Sequence, residues 1–531
     1  MKRRIVLFGF LIGLLTSVPA IVLLAAAERL AGLPFLPFDL FDLAARALPG
    51  PIITFGIDLM VGAITALKLG NTSAAAKFAE QSMAILQFVL AGGILGAVIG
   101  AFRPQVENAE LRLLGLAAGF VLSIPFVGAQ AAIGFPGGNP ILGIVWAVCF
   151  LSVWGLILGW ILMDARRAAQ PAAGQQFTRR QLLTLAATGL LALIGSAVGL
   201  RLFVPRKEQT TAVTQPSTGD AVDGALGSPS ADVLAARFEP APGTRPEIIP
   251  TADFYRIDIN TRIPQLDAEE WRLELTGLVR TPMSLTLEEI RARPKVSQYL
   301  TLSCISNTVG GDLIGTTLWS GTRLKDLLED AGLMLRAKAL DIVGADRFHE
   351  SVVLEDMLDE RTLLAYEMNG EALPAKHGFP LRILIPNRYG MKQPKWITRM
   401  EAVAEIGPGY WVDRGWNQDA RPRTVSVIDN VTIESETSGN TLLGGIAWAG
   451  SRGISRVEVR VDDEPWTDAE LRNPPISPLT WVQWRYVTAA STGKHTAYVR
   501  AYDGSGLIQL DEENPPHPSG ATGIHEYAFN V

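Results

Sequence analysis

Cys304 closes an alternating apolar stretch, Leu300-Thr301-Leu302-Ser303, and opens a Gly-rich run through Asn307, Thr308, Val309, Gly310 and Gly311. Beyond that run Leu324, Leu327 and Leu328 recur at helical spacing, and Gly332 stops the pattern. A strand ending in a thiol, a permissive loop and a helix together present one sulfur to a bound group. A thiolate is a soft, anionic metal ligand, while a buried thiol is also an ordinary small apolar filler; these residues alone fit both readings. One cysteine is too few for a structural zinc site, which takes about four protein ligands. The other cysteine, Cys149, lies in an apolar run, so no disulfide framework is expected.

A second block runs from Leu364 through Gly370, His377, Arg382, Tyr389, Gly390, Lys395 and Trp396. Together with the Cys304 segment it resembles the molybdenum domain of the sulfite oxidase family of molybdopterin enzymes, and the resemblance extends over residues 246 to 531. It implies that Cys304 joins the dithiolene sulfurs of the pterin on molybdenum. It also implies that His377, Arg382 and Lys395 hold the pterin, whose phosphate tail suits a guanidinium. Tyr255 and Arg256 resemble the family's early contact segment, Asn307 falls in the loop that lines the site, and Gln393 and Pro394 are expected to give backbone contacts. Taken singly, each cation also fits a solvated surface charge.

The expected substrate pocket departs from the family pattern. Thr308 and Val309 stand where sulfite oxidases carry an arginine after the ligand cysteine, and Trp416 stands where they carry an active-site tyrosine. A pocket without that positive charge holds a dianion less well. Thr308, Arg414 and Trp416 are therefore expected to shape a pocket for a neutral sulfoxide or N-oxide, and Tyr389-Gly390-Met391-Lys392 resembles the methionine-sulfoxide reductase branch. Trp416 fits core packing equally well.

The elements that carry these residues divide by composition. The chain has 531 residues, 19% of them charged and 48% hydrophobic, with a net charge of −6 that argues against a nucleic-acid partner. Ile5–Ala27, Ser82–Phe102, Leu113–Phe135, Ile141–Met163 and Leu182–Leu200 are uncharged runs of 19 to 23 residues. Each is long enough to cross a bilayer as a helix. The positive-inside rule places Lys2, Arg3 and Arg4, and the loop with Arg166, Arg167, Arg179 and Arg180, in the cytoplasm. Five spans satisfy this, with residues 52–67 re-entrant or interfacial and the polar part outside the cytoplasmic membrane. Phe177-Thr178-Arg179-Arg180 resembles a twin-arginine export signal, and two arginines flanking a helix read the same way.

Four regions are thus expected: a helical membrane domain over 1–205, a linker over 206–245, an α+β molybdopterin-binding domain over 246–415, and an immunoglobulin-like β-sandwich over 416–531. The last rests on short alternating strands, such as Val457–Val461 and Trp481–Val487, between Gly, Asp and Pro turns. In the resembled family it often mediates dimerisation, so a homodimer through it is a further expectation. Five histidines, none of them in the apolar region, and the lack of a Cys-x-x-Cys-His motif lead us to expect no haem or iron–sulfur cluster in this chain. Electrons are then exchanged with a separate cytochrome or quinone-linked partner. The expected activity is oxygen-atom transfer on a small S- or N-oxide or sulfite-like substrate. The rival is a catalytically inactive membrane-tethered binding or assembly protein that keeps the fold.

Overall fold

The computed structural model describes residues 2–67, 70–102, 108–133, 140–168, 238–433, 440–489 and 491–531. Leu182–Leu200, the Arg179-Arg180 pair and most of the expected linker lie outside them. The chain folds as two compact units: Met1–Leu48, Ala76–Thr211 and Ile259–Ile263 form one, and Pro49–Ala75, Ala212–Asp258 and Pro264–Val531 the other.

Six helices lead the chain: α1 (Lys2–Ala31), α2 (Leu36–Ala47), α3 (Gly50–Ala66), α4 (Thr72–Phe102), α5 (Asn108–Ile133) and α6 (Pro140–Ala168). Among the described residues four stretches, Ile5–Ala31, Thr72–Phe102, Glu110–Ala129 and Ile141–Met163, are long and apolar enough to cross a membrane. The sharply bent pair of α2 and α3 counts as a fifth if it is one broken span. Glycines let these helices approach closely. A Cβ on Gly9 would fall 2.2 Å from the Gly96 carbonyl oxygen, and one on Gly115 2.3 Å from that of Gly155. Small residues at such crossings replace the hydrophobic driving force that lipid removes. Leu15, Leu23, Phe78, Leu113 and Ile124 remain exposed on the helices.

The stretch Ile259–Ile263 belongs to the helical unit through polar contacts. Thr261 donates its backbone N–H and its hydroxyl to Asp42, both at 3.1 Å, and Arg262 pairs with Glu28 at 3.0 Å and with Asp39.

In the other unit two sheets carry the resembled region. One is mixed, in the order Met283–Leu285, Leu273–Gly277, Ile397–Val403, Ala339–Gly344, His349–Val353; only Leu273–Gly277 and Ile397–Val403 run parallel. The second is antiparallel, Val296–Ser303, Ile314–Arg323, Leu363–Met368, Glu371–Ala372, with Arg382–Leu384 also on Leu363–Met368. Between them α8 (Leu324–Ala331) buries Leu324, Leu327 and Leu328 and stops at Gly332, whose φ of 68° is one a side chain resists. The short helix α7 (Leu287–Arg291) starts at a Thr286/Glu289 capping box.

The C-terminal region has two four-stranded antiparallel sheets. Their orders are Val425–Ile433, Asn440–Trp448, Val482–Ala489, Glu470–Leu471, and Thr467–Asp468, Ile454–Val461, Lys494–Asp503, His525–Asn530. Ile428, Leu443, Val457, Trp484 and Val499 form their shared core.

Candidate active site

Strand Val296–Ser303 is held in register along its length by Ile314–Arg323, so its end is fixed and Cys304 with it. The Cys304 N–H donates to the Leu313 carbonyl at 2.9 Å, which closes the loop at its base. Inside, Asn307 Oδ1 accepts from the Leu313 N–H at 2.9 Å, and the Thr308 carbonyl accepts from Gly311 at 3.0 Å. The Cys304 Sγ lies 3.0 Å from Ser306 Oγ. Burial pushes the thiol upward, and hydrogen bonds from Ser306 pull the other way.

Around this sulfur the fold gathers residues far apart in sequence. Tyr255 shares a buried cluster with Cys304, Phe254 and Trp319. Its hydroxyl is pushed well up by burial and further by Cys304, while Arg382 opposes. Tyr389 is pushed up to about 12, mainly by burial, with Cys304 contributing.

The three residues expected to hold the pterin converge. His377, the buried residue of a 3-10 turn (Ala375–His377), sits edge-on to Phe254 at 5.6 Å. Its imidazole is held well below the usual range, first by burial and then by Lys395, Arg382 and Lys376. Arg382 begins strand Arg382–Leu384, lies 4.9 Å over the Trp319 ring, and has no hydrogen-bond partner on Nε among the described residues. Burial lowers it to about 10. Lys395 is lowered to about 8 by burial and by Arg256 and Arg382, against Asp258, which accepts from its Nζ at 3.0 Å. Asp258 also takes the Arg256 guanidinium, through Nε at 2.6 Å and Nη2 at 3.1 Å. Buried positive groups that repel one another, one of them with an unpartnered N–H, fit an anionic ligand with phosphate character.

The remaining expected residues separate. The Gln393 side chain bridges the Ile385 N–H and the Arg388 carbonyl, and the Pro394 carbonyl accepts from Ile383, so their polar groups serve the fold. Arg414 donates to the Tyr410 carbonyl at 2.8 Å and stacks 3.7 Å over that ring. Trp416 is 4% exposed, packed with Ile305, Tyr389 and Met391, and its Nε1 has no partner among the described residues. It thus shares a buried cluster with Ile305, the neighbour of Cys304 in the chain. Thr308 lies within the Cys304 loop.

Sequence reasoning missed three contributors. His517 stands edge-on to Trp416 at 5.0 Å, and the His525 ring covers Gly310 of the Cys304 loop. Lys392 donates to Glu350 in a fully buried pair. No local pattern marks the two histidines: His517 lies in a turn, and His525 begins a strand whose place depends on pairing in the C-terminal region.

A buried thiol at a strand end thus lies in the same unit as a group of buried basic side chains. The family model "Oxidoreductase molybdopterin binding domain" matches residues 260–411. Sulfite oxidase of Arabidopsis thaliana is 30% identical over 266 residues, which is 40% of this chain and 67% of that one. The uncharacterized oxidoreductase YuiH of Bacillus subtilis is 33% identical over 156 residues, 29% of this chain and 77% of that one. YedZ1 of Azospira oryzae, assigned by name as a protein-methionine-sulfoxide reductase subunit, is 34% identical over 155 residues, covering 29% of this chain and 57% of that one. This chain is an oxidoreductase that belongs to the sulfite oxidase family of molybdopterin enzymes.

Proposed function

We propose that this chain is a membrane-anchored molybdenum-cofactor enzyme that transfers an oxygen atom on a small S- or N-oxide or sulfite-like substrate outside the cytoplasm. The observation that carries it is the convergence of Cys304, Tyr255, His377, Arg382 and Lys395 around an excess of buried positive charge. Arg382, His377 and Lys395 would hold the phosphate-bearing pterin, and Cys304 would serve the metal as a deprotonated thiolate. When bound, the cofactor supplies the two-electron oxygen-atom chemistry. Tyr255 and Asn307 line its edge, and Arg256 acts through Asp258 to orient Lys395.

Thr308, Arg414 and Trp416 shape the substrate side. A neutral oxide suits this lining, because Thr308 and Val309 put no arginine in the loop after Cys304 and Arg414 is engaged with Tyr410. For a sulfoxide the net change is uptake of two electrons and two protons, giving the sulfide and water. The electrons come from a separate cytochrome or quinone-linked donor. The apolar helices support membrane anchoring, and the basic residues at Lys2–Arg4 and Arg166–Arg180 support an extracytoplasmic catalytic side with twin-arginine export. The 416–531 region is read as an immunoglobulin-like domain of the dimerisation type.

The test is molybdenum and pterin content of the full chain, made in a cofactor-producing host, followed by sulfite and sulfoxide assays of wild type and Cys304→Ser. About one molybdenum per chain is expected of a mononuclear site, with turnover abolished in Cys304→Ser. A folded preparation without metal would instead favour a tethered binding or assembly protein.

A further inference from the structure

The first turn of α4 is built into the same compact unit as Cys304. The Thr72 N–H donates to Asp312 Oδ2 at 2.9 Å, and Ser73 Oγ accepts from the Arg256 N–H at 3.3 Å. Farther along α4, Lys77 Nζ donates to the Asn260 carbonyl at 3.0 Å and Gln81 Nε2 to the Thr261 carbonyl at 3.4 Å.

Asp312 is the distinctive partner. The N-cap is Asn71, whose Oδ1 accepts from Ala74 at 3.0 Å, and the Asp312 carboxylate adds a second acceptor at the positive end of a 31-residue helix. Asp312 is also next in the chain to Leu313, whose carbonyl holds the Cys304 N–H and whose N–H is held by Asn307. A single carboxylate therefore joins the start of a membrane-length apolar helix to the base of the Cys304 loop.

We infer that Asp312 is a positioning residue through which the first turn of α4 fixes the Cys304 loop. The inference rests on the reading of Cys304 as the metal ligand. A soluble fragment starting after α6 would lack this cap, and its loop would open more often.

The test uses the full chain in detergent, cofactor-free, with Cys149→Ser so that Cys304 is the sole thiol. Alkylation of Cys304 by a maleimide reports loop opening without any bound metal. Asp312→Ala is expected to react about fivefold faster, the size of a lost helix cap expressed as a local opening equilibrium. Asp312→Asn keeps an acceptor oxygen for Thr72 and should stay near the wild-type rate. Thr72→Pro removes only the donor, at a first-turn position that tolerates proline, and should match Asp312→Ala. Combining the two should add nothing. If Asp312→Ala does not fold, the Thr72→Pro rate decides alone. Wild-type rates in Asp312→Ala or Thr72→Pro, equal acceleration by Ala and Asn, or additive effects would each overturn the inference. Metal content of the wild type separately decides the ligand reading.

Discussion

Arg382 donates Nη1–H to the carbonyl of His377 at 3.0 Å, while its Nε, on a buried guanidinium, has no partner among the described residues. One side of the fork is spent on holding the 3-10 turn of His377, and the other is available to a ligand. A lysine could supply charge but not both directions. Arg382→Lys should therefore keep the fold and lower pterin occupancy on purification by about tenfold, the worth of a charge-assisted hydrogen bond. Fluorescence of the oxidised pterin, measured per folded chain, checks this. Full occupancy in Arg382→Lys would place the phosphate elsewhere.

His377 gives the cofactor-free chain a pH signature. Burial and three neighbouring cations keep it neutral in the folded state, while unfolded it titrates near the usual value of about 6.5. Below that pH the unfolded chain takes up a proton that the folded chain refuses, so folding stability falls as pH drops. Between about pH 7.5 and 5.5 the loss attributable to this group reaches about 1.4 kcal/mol. Denaturation of wild type and His377→Gln at both pH values isolates it, because other groups cancel in the difference. An anionic cofactor should shrink the effect by offsetting the cations. Identical pH slopes for the two proteins would contradict the assignment.

Gly310 has a φ of 75°, and a Cβ there would meet His525 Nε2 at 2.3 Å. The His525 Nδ1 accepts from the Ile428 N–H at 3.0 Å, which fixes the ring against the Cys304 loop, and burial lowers its pKa to about 4. Gly310→Ala should destabilise the chain by about 2 kcal/mol through clash and left-handed strain together. Adding His525→Ala should recover only the clash, leaving about 1 kcal/mol of backbone cost. Thermal melts of the single and double variants give this directly, and full recovery would mean that the backbone carries no strain.

What the sequence revealed follows the range of the interactions involved. Cys304, the loop and α8 with its Gly332 stop are close in the chain, and their periodicity shows. Four of the five long apolar runs are helices of membrane length, and the fifth lies outside the described residues. The cluster of His377, Arg382 and Lys395 was legible only through resemblance, since charge spacing does not say that the side chains are buried. The ion pair of Arg256 with Asp258, two residues on, is not marked by any sequence pattern. That Ile259–Ile263 packs with the helices, and that His517 and His525 return to the catalytic region, depends on tertiary pairing across more than a hundred residues. No local pattern encodes it.

Lys392 and Glu350 are 2% and 1% exposed, and the lysine ammonium pairs with the glutamate carboxylate within the core. Burial pushes Glu350 up to about 7 despite the lysine beside it. Its Oε1 has no hydrogen-bond partner among the described residues and lies where a Cβ on Gly409 would stand, at 1.9 Å. Gly409 opens the stretch that carries Tyr410, Arg414 and Trp416, so this pair supports the expected substrate wall. Lys392→Met strands a carboxylate in the core and should cost about 3–5 kcal/mol at pH 8. Below about pH 6 the stranded group takes a proton and much of that cost disappears, because the raised pKa favours the folded state at low pH. Lys392→Met with Glu350→Gln removes both charges and should recover most of the stability at pH 8. Urea melts of the three proteins at pH 8 and pH 6 decide the matter. A double variant no more stable than Lys392→Met would show that the lysine stem, and not the charge pair, holds this wall.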